Sequence, residues 1–273
     1  SRTADYGVFI MTKLKAIIMD GDGSSITHDG ILPDSLRDLM LTNPQIHWIM
    51  ATGRSLDLLR HLPIIDYLSP DVPHILDGGS RLTKTNGDSL LDFFISPAEL
   101  ESFFAQLDLT QIDFLYYYLD EQRSYLYSQQ LELWQNRPMF IRAITHDNIT
   151  EYRQSALANP PTKIFMRVKE FFELHDLTWH NNEKNIDFTA HGVNKGSTCL
   201  RLLETLQIKP EQAAFVFNDR NDLPLVLHPE LAQITTIKVG DYLPEINATH
   251  HVATPYDVAE VLEKLIAEIK QVN

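Results

Sequence analysis

The chain has 273 residues and a formal charge of −14, from 23 basic and 37 acidic residues. This acidic balance argues against a nucleic-acid partner, which needs a basic surface, but it allows an anionic substrate if a metal reverses the sign of a pocket. No apolar run approaches the roughly 18 residues of a membrane span, and the single cysteine, Cys199, excludes an intrachain disulfide. We therefore expect a cytoplasmic globular protein without membrane association.

The first part of the chain is predicted to alternate short apolar strands with helices. In chain order we predict strand 14–19, helix 33–42, strand 46–50, a helical segment 56–62 that ends before Pro63, and strand 74–76. Leu36, Leu39 and Met40 share one face of the predicted helix. This alternation predicts a parallel α/β sheet.

In the middle of the chain, the predicted strands and helices follow a different order. Asn86-Gly87 lies between two extended runs, which is typical of a β-hairpin, and Ser96-Pro97 has the form of a helix start. Aromatic-rich and β-branched runs follow, the longest being "IDFLYYYL" (112–119). Strands and helices that do not alternate regularly favour an inserted α+β domain.

After about residue 187 the first order of strands and helices returns. We predict an amphipathic helix around Cys199, Leu202, Leu203 and Leu206, strands at 213–217 and 234–239, and a last helix with its apolar face at Val258, Val261, Leu262, Leu265 and Ile269. The predicted division is a Rossmann-like α/β core at 11–83 and 188–273, an inserted α+β domain at 84–187, and an extension at 1–10 that is either an expression remnant or disordered.

Polar residues follow the predicted core strands. Asp20 and Asp22 come directly after the first strand, Thr52 to Arg54 after the second, and Asn218 to Asp222 after strand 213–217, while Lys195 precedes a helix. Ligands of parallel sheets bind at the carboxyl ends of the strands, so we expect these groups to share one site.

Each segment alone also has an ordinary structural explanation. Asp-Gly-Asp-Gly is common in turns, Thr52 suits a helix start, and a lone lysine usually lies in solvent. A calcium loop beginning at Asp20 is excluded, because its sixth position is Ser25 rather than Gly and its twelfth is Ile31 rather than Glu.

Together the four segments resemble the motifs of the haloacid dehalogenase superfamily of phosphohydrolases. "DGDGSS" (20–25) resembles its first motif, "ATGRS" (51–55) its second, "GVNKG" (192–196) its third, and "FNDRNDLP" (217–224) its fourth, which usually reads GDxxND. The long insert between the second and third motifs resembles the branch with a large α+β cap, the Cof-like hydrolases and sugar phosphatases. The resemblance covers nearly all of residues 12–273.

The resemblance implies a role for each residue at the strand ends. Asp20 would be the nucleophile that forms an aspartyl-phosphate, and Asp22 the general acid and then the base. Thr52 would bind the phosphoryl oxygens and Lys195 would hold Asp20 and the phosphate together. The implied substrate-binding residues are Gly21, Gly23, Gly53 and Arg54, and the implied Mg²⁺-binding residues are Asp20, Asp22, Asn218, Asp219 and Asp222.

The fourth motif departs from the family pattern. Phe217 replaces the usual glycine and Asn218 replaces an aspartate that normally binds Mg²⁺, which removes one negative charge. Asp219 is a candidate substitute, since trehalose-phosphate phosphatases, which residues 236–265 also resemble, have an aspartate there. The departure leaves open a degenerate relative that binds a phosphorylated ligand without hydrolysing it.

The function that the resemblance implies is a cytoplasmic, Mg²⁺-dependent phosphatase, monomeric or homodimeric, acting on a small phosphorylated metabolite and above all a sugar phosphate. A phosphomutase of the same fold is a second alternative. The notable cap side chains carry no assigned role from sequence: Tyr116, Tyr117, Tyr118, Arg123, Trp134, Arg142, Lys163 and His180.

Overall fold

A computed structural model describes residues 14–268. The strands are β1 (Ala16–Met19), β2 (His47–Met50), β3 (His74–Leu76), β4 (Arg81–Thr83), β5 (Ser89–Asp92), β6 (Ile112–Asp120), β7 (Arg123–Tyr127), β8 (Ile144–His146), β9 (Lys163–Val168), β10 (Thr178–Asn182), β11 (Asn185–Thr189), β12 (Ala213–Phe217), β13 (Thr235–Val239) and β14 (His250–Val252). The helices are α1 (Asp34–Thr42), α2 (Leu56–Leu59), α3 (Pro97–Gln106), α4 (Leu131–Trp134), α5 (Ile149–Ala158), α6 (Lys195–Thr205), α7 (Leu223–Val226) and α8 (Val258–Ala267).

The core is a five-stranded parallel sheet in the order β14-β13-β12-β1-β2. All four residues of β1 are buried, and alternation sends Ile17 and Met19 into one apolar cluster and Ala16 and Ile18 into the other. The predicted parallel α/β core is therefore confirmed, with helices covering both faces of the sheet.

The predicted helix faces pack against the core, with Leu206, Val261 and Leu265 only partly buried. Leu36, Leu39 and Met40 of α1 pack in one core cluster, and Cys199, Leu202 and Leu203 of α6 pack in the other. Val258 and Leu262 of α8 are also buried. The predicted extension at 1–10, the core start at residue 11 and the last face position, Ile269, lie outside the described residues. None of the described helices has the length and apolar character that a membrane crossing requires.

The third strand does not join the parallel sheet as predicted from its spacing. β3 pairs antiparallel with β4, and β4 with β5, whereas β3 meets the end of β2 through a parallel bridge between Ala51 and Ile75. The turn at 77–80 returns the chain beside β3 as β4, and the predicted hairpin at Asn86-Gly87 then adds β5 to β4. Gly87 has a φ of 98°, a conformation that suits glycine. The boundary at residue 84 stays a prediction.

A buried histidine ties β3 to β2. The Met50 N–H donates to His74 Nδ1 at 3.1 Å, and Nε2 donates to the Ser69 carbonyl at 2.9 Å, so this neutral ring uses both nitrogens. Burial lowers the pKa of His74 to about 4. A proton on Nδ1 would face the Met50 N–H and lose that hydrogen bond.

His74 should make stability depend on acid pH. Because its folded pKa lies below the ordinary value, the stability that it contributes is complete above about pH 6.5 and lost as the pH falls toward about 4. Between about pH 7.5 and about pH 4.5, we expect the free energy of unfolding to fall by about 2–3 kcal/mol more in the parent than in His74→Gln. Urea titrations of both proteins measure this, and parallel pH dependences would contradict it.

The inserted segment forms a six-stranded sheet in the order β10-β11-β9-β6-β7-β8. All neighbouring strands are antiparallel except β7 and β8. Helices α3 and α5 pack on one face through aromatic residues such as Phe103, Tyr152 and Phe188. Helix α3 begins as predicted: Pro97 is its first residue, and Ser96 and Glu99 form a reciprocal capping box. The opposite face of this sheet contributes to a cleft.

Candidate active site

The site begins where β1 leaves the sheet. The Asp20 N–H still donates to the Val216 carbonyl of β12 at 2.9 Å, and the chain then turns sharply. The Gly21 carbonyl accepts hydrogen bonds from the N–H groups of Ser24 and Ile26, which closes a tight loop. The Asp20 side chain is buried at the carboxyl edge of the sheet, in the position predicted for it.

Lys195 joins Asp20 to Asp222. Its Nζ donates to Asp222 Oδ1 at 2.7 Å and to Asp20 Oδ1 at 3.1 Å, and the lysine is only 2 % exposed. Lys195 is the first residue of α6, Asp222 lies in the turn after β12, and Asp20 follows β1. Three distant segments thus meet at one buried point, which is the arrangement that the sequence predicted.

The charges of this triad depend on one another. Burial by itself would lower the pKa of Lys195, but the Asp20 and Asp222 carboxylates raise it above its ordinary value. Burial and the Asp20 charge raise the pKa of Asp222, against the opposing effect of Lys195. A raised lysine pKa favours the charged lysine, whereas a raised aspartate pKa favours the neutral carboxyl group, so the two directions disagree about whether the pair is ionised. The 2.7 Å contact, with main-chain N–H groups of Asn218 and Asp219 donating to Asp222 Oδ2, favours the charged pair.

With all three groups ionised, the triad has two negative charges and one positive charge. The uncompensated charge lies in a buried environment, where it interacts more strongly with a cation than it would in water. A cation beside Asp20 would therefore be stabilised here.

Asp22 makes a two-pronged ion pair with Arg54. The guanidinium donates through Nε and one terminal nitrogen to both carboxylate oxygens, at 2.9–3.1 Å. Thr52 is buried, and its Oγ1 accepts a hydrogen bond from the Arg54 N–H at 3.1 Å. The second segment therefore lies beside the first, as predicted, and positions Arg54 over Asp22.

The glycines of the two loops differ in what they do. Gly23 has a φ of 79°, and a Cβ there would lie 2.3 Å from Asn218 Nδ2, so the loop requires glycine. Its N–H donates to the Ile26 carbonyl at 2.7 Å and is used within the loop. No such crowding is found at Gly21 or Gly53, whose substrate-binding roles stay predictions. The Gly53 carbonyl accepts a hydrogen bond from Lys163 Nζ at 2.6 Å.

A cleft of about 440 Å³ opens beside these residues. Asp22, Gly53 and Arg54 form its floor on the core side, and the inserted sheet forms the other wall. Of the cap side chains noted from sequence, Tyr116, Tyr117, Tyr118, Lys163 and His180 line it. Arg123 instead pairs with Asp120, Trp134 packs against Phe114, and Arg142 is exposed.

Two acidic residues near Lys163 in the cleft were not predicted from the sequence. Asp77 is buried, has a φ of 51°, and lies 3.4 Å from Arg81 Nε and 3.9 Å from Lys163 Nζ. Asp187 lies 3.8 Å from Lys163 Nζ on its other side. A signal for Asp77 was present, since "DGGS" follows β3 as the other polar segments follow their strands.

Comparison with known proteins agrees with this geometry. The family model for haloacid dehalogenase-like hydrolases matches residues 17–232. The chain belongs to this family. A search of curated proteins finds none that matches the chain significantly.

Solved structures share the fold along almost the whole chain. BT1666 from Bacteroides thetaiotaomicron, described as a HAD phosphatase, has a TM-score of 0.75 at 14% identity, covering 96% of this chain and 99% of its own. TM0651 from Thermotoga maritima has a TM-score of 0.70 at 15% identity, with coverages of 92% and 97%. BT4131, described as a subclass IIB sugar phosphatase, has a TM-score of 0.67 at 14% identity, with coverages of 91% and 98%. The predicted family is confirmed, and the fold with a large α+β insert is shared with these structures.

In this haloacid dehalogenase-like chain, the carboxylates among the predicted metal-binding residues do not point at one common site. Within residues 14–268, no group of three or more His, Cys, Asp or Glu side chains is arranged to hold a metal ion. The Asp22 carboxylate binds Arg54, Asp222 uses both oxygens on Lys195 and main-chain N–H groups, and Asp219 Oδ1 accepts from the Arg220 N–H.

A smaller set of oxygens does fit a hard cation. Asn218 Oδ1 is buried and has no hydrogen-bond partner, while Asn218 Nδ2 donates to the main-chain carbonyl of Asp22 at 3.1 Å. The Asp20 carboxylate, the Asp22 carbonyl and the Asn218 amide oxygen are the kind of donor that Mg²⁺ prefers. The amide supplies no charge, so this set has one carboxylate where the family pattern has two.

Proposed function

We propose that this chain is an Mg²⁺-dependent phosphatase that hydrolyses a small phosphorylated metabolite, a sugar phosphate, through a phosphorylated Asp20. The observation that supports the proposal is Lys195, which bridges the buried Asp20 and Asp222 side chains at the carboxyl edge of the sheet, close in sequence to Asp22 and Asn221, which line the cleft. Membership of the haloacid dehalogenase-like hydrolases supports the reaction class. We also propose a cytoplasmic location, because a chain with a single cysteine has no intrachain disulfide and suits a reducing compartment.

In the first step Asp20 attacks the phosphorus atom. Lys195 holds Oδ1 at 3.1 Å, whereas Oδ2 accepts only a longer hydrogen bond of 3.3 Å from Ser24 Oγ, so Oδ2 is the attacking atom. A bond forms between Oδ2 and phosphorus as the ester P–O bond breaks. The leaving oxygen keeps the electron pair and takes a proton from Asp22, which gives the alcohol.

Asp22 can donate that proton only if its ion pair with Arg54 opens. A bidentate pair stabilises the ionised carboxylate. The substrate phosphate is an anion that competes for the same guanidinium, so its arrival draws Arg54 away from Asp22. Substrate binding and protonation of the general acid are thereby coupled.

In the second step water replaces the enzyme at phosphorus. Asp22, now ionised, accepts a proton from the attacking water, and the bond between phosphorus and Asp20 breaks. Inorganic phosphate leaves and the Asp20 carboxylate is restored. The sum is one ester and one water giving one alcohol and one phosphate.

Mg²⁺ would be held by the Asp20 carboxylate, the Asp22 carbonyl and the Asn218 amide oxygen. When bound, it would supply positive charge that neutralises the phosphoryl oxygens and the excess charge of the triad. The Asn218 amide donates to this same Asp22 carbonyl, so the amide would compete with the cation for that oxygen.

Three contacts hold the inserted sheet against the core. Lys163 of β9 donates to the Gly53 carbonyl, Arg81 donates to the Leu119 carbonyl at 3.1 Å, and Arg60 pairs with Glu121. A substrate that fills the cleft would displace water from it, which would strengthen each electrostatic interaction at the reacting phosphate.

Metal dependence and the role of Asn218 can be tested together. We expect the parent to release phosphate from p-nitrophenyl phosphate, to lose this activity in chelator and to regain it with Mg²⁺ rather than Ca²⁺. Asn218→Asp adds a charge close to the cation, worth about 1–4 kcal/mol, so the Mg²⁺ affinity should rise at least about fivefold. Titration calorimetry measures the affinity directly, and the Mg²⁺ dependence of the melting temperature gives an independent measure.

Activity that ignores the chelator would refute the metal requirement. A second function is favoured by the hydrogen bond from Asn218 Nδ2 to the Asp22 carbonyl, because the amide covers one of the oxygens that Mg²⁺ would use. If only Asn218→Asp releases phosphate, the parent chain binds a phosphorylated ligand without hydrolysing it.

A further inference from the structure

One row of side chains crosses the cleft wall of the inserted sheet. His180 of β10 pairs with Asp187 of β11, Asp187 pairs with Phe165 of β9, and Phe165 pairs with Tyr116 of β6. Residues that are directly opposite on neighbouring strands lie on the same face of a sheet. All four line the cleft. The row therefore has a polar half and an aromatic half.

The polar half has hydrogen-bonding atoms without partners. His180 Nε2 and Asp187 Oδ1 are buried atoms that make no hydrogen bond, and across the cleft the core residue Asn221 has a buried Oδ1 in the same condition. Buried polar atoms of native proteins are nearly always paired, so an unpaired group in a cleft indicates a ligand. The two oxygens are acceptors, and a ligand must offer them donors.

The aromatic half offers a flat apolar surface. Phe165 and Tyr116 pack beside one another in the row, and Met139 lines the cleft next to them. A sugar ring presents C–H groups on one face and hydroxyl groups at its edge, so it would contact both halves of the row at once. Hydroxyls both donate and accept, which suits the imidazole nitrogen in either tautomer.

The charges of the cleft disfavour a leaving group with a second negative charge. Among the described residues that line it, the lysine and arginine side chains are Lys163 and Arg54. Lys163 lies between Asp77 and Asp187, at 3.9 and 3.8 Å, and Arg54 is paired with Asp22. An anionic group beside Asp187 would be repelled by that carboxylate, because both nearby cations already face carboxylates of the protein.

We propose that His180 and Asp187 are specificity-determining residues that bind the hydroxyl groups of an uncharged sugar or sugar-alcohol leaving group, whose apolar face lies on Phe165 and Tyr116. This inference rests on the proposed function, because it concerns the part of the substrate beyond the phosphate. It narrows the substrates to monophosphates of neutral polyols. It excludes sugar bisphosphates and phosphorylated carboxylic acids.

Binding tests the inference independently of turnover. Calorimetric titrations use Asp20→Asn, which keeps the shape of the site, and the parent in chelator, with hexose and hexitol monophosphates, a hexose bisphosphate and 3-phosphoglycerate. We expect the best neutral polyol phosphate to bind at least about tenfold more tightly than either doubly anionic ligand. Equal or tighter binding of the bisphosphate or of 3-phosphoglycerate in both proteins would overturn the inference.

Variants of His180 and Asp187 test whether the row causes the preference for neutral polyol phosphates. His180→Ala should weaken binding of the best polyol phosphate about tenfold and raise its KM, with a smaller loss of kcat/KM for p-nitrophenyl phosphate, whose leaving group has no sugar hydroxyls. Asp187→Asn removes the charge at constant shape, so it should narrow the discrimination against 3-phosphoglycerate at least about fivefold. Lys184→Ala, an exposed change in the same hairpin, is the control.

The outcomes of the two proposals can be told apart. A parent that binds polyol phosphates selectively but releases no phosphate refutes the proposed phosphatase and leaves the recognition intact. Equal losses on p-nitrophenyl phosphate and on the polyol phosphate in His180→Ala, or unchanged selectivity in both row variants, refute the recognition and leave the phosphatase intact.

Discussion

Lys195→Met is expected to lower the free energy of unfolding by about 3–5 kcal/mol and to abolish phosphate release. Methionine fills a similar volume but leaves Asp20 and Asp222 buried and facing one another without their shared cation. Two carboxylates in that position cannot both stay ionised, so the pKa of Asp222, which burial and the Asp20 charge already raise, must rise further without Lys195. A raised carboxyl pKa makes stability greatest at acid pH, and the loss should therefore grow as the pH increases.

Chemical denaturation of the parent and of Lys195→Met at about pH 5 and about pH 8 measures this effect. The double variant Lys195→Met with Asp222→Asn removes one of the unpaired charges, so it should recover much of the lost stability but none of the activity. A single variant as stable as the parent at both pH values would show that Lys195 does not neutralise the two carboxylates.

Asp20→Asn is expected to reduce kcat for p-nitrophenyl phosphate by at least about 10⁴-fold with little change in fold. The amide keeps the size of the side chain and can still accept a hydrogen bond from Lys195, but it is a poor nucleophile. Lys195 also keeps its shorter contact with Asp222. Asp241→Asn, at a fully exposed carboxylate, is the matched control and should be as active as the parent.

The covalent intermediate gives a second measurement for the same variant. Acid-quenched parent should contain a phosphorylated peptide that includes Asp20, and Asp20→Asn should not. Residual turnover above about one hundredth of the parent value, in protein free of wild-type contamination, would refute Asp20 as the nucleophile.

The core fold was predictable because its signals are local. An apolar run that stops at "DGDG", a helix face at Leu36, Leu39 and Met40, and an Asn-Gly turn each depend on a few neighbouring residues. The carboxyl ends of parallel strands lie at one edge, so the meeting of Asp20 with Lys195 and Asp222 followed from strand order. The antiparallel pairing of β3 with β4 did not, because it depends on the turn at 77–80, which the spacing of the strands does not reveal.

The sequence by itself determined the α/β core, its large insert and the polar residues at the strand ends. The hydrophobic period, the turn residues and the helix caps each depend on residues that are close together in the chain. Only the tertiary structure decided that Arg54 binds Asp22, that Asn218 covers the Asp22 carbonyl, and that His180, Asp187, Phe165 and Tyr116 form one row. The physical reason is register. Which side chains face one another across strands depends on pairings between residues far apart in the chain, and a shift of one residue would send each of them to the other face.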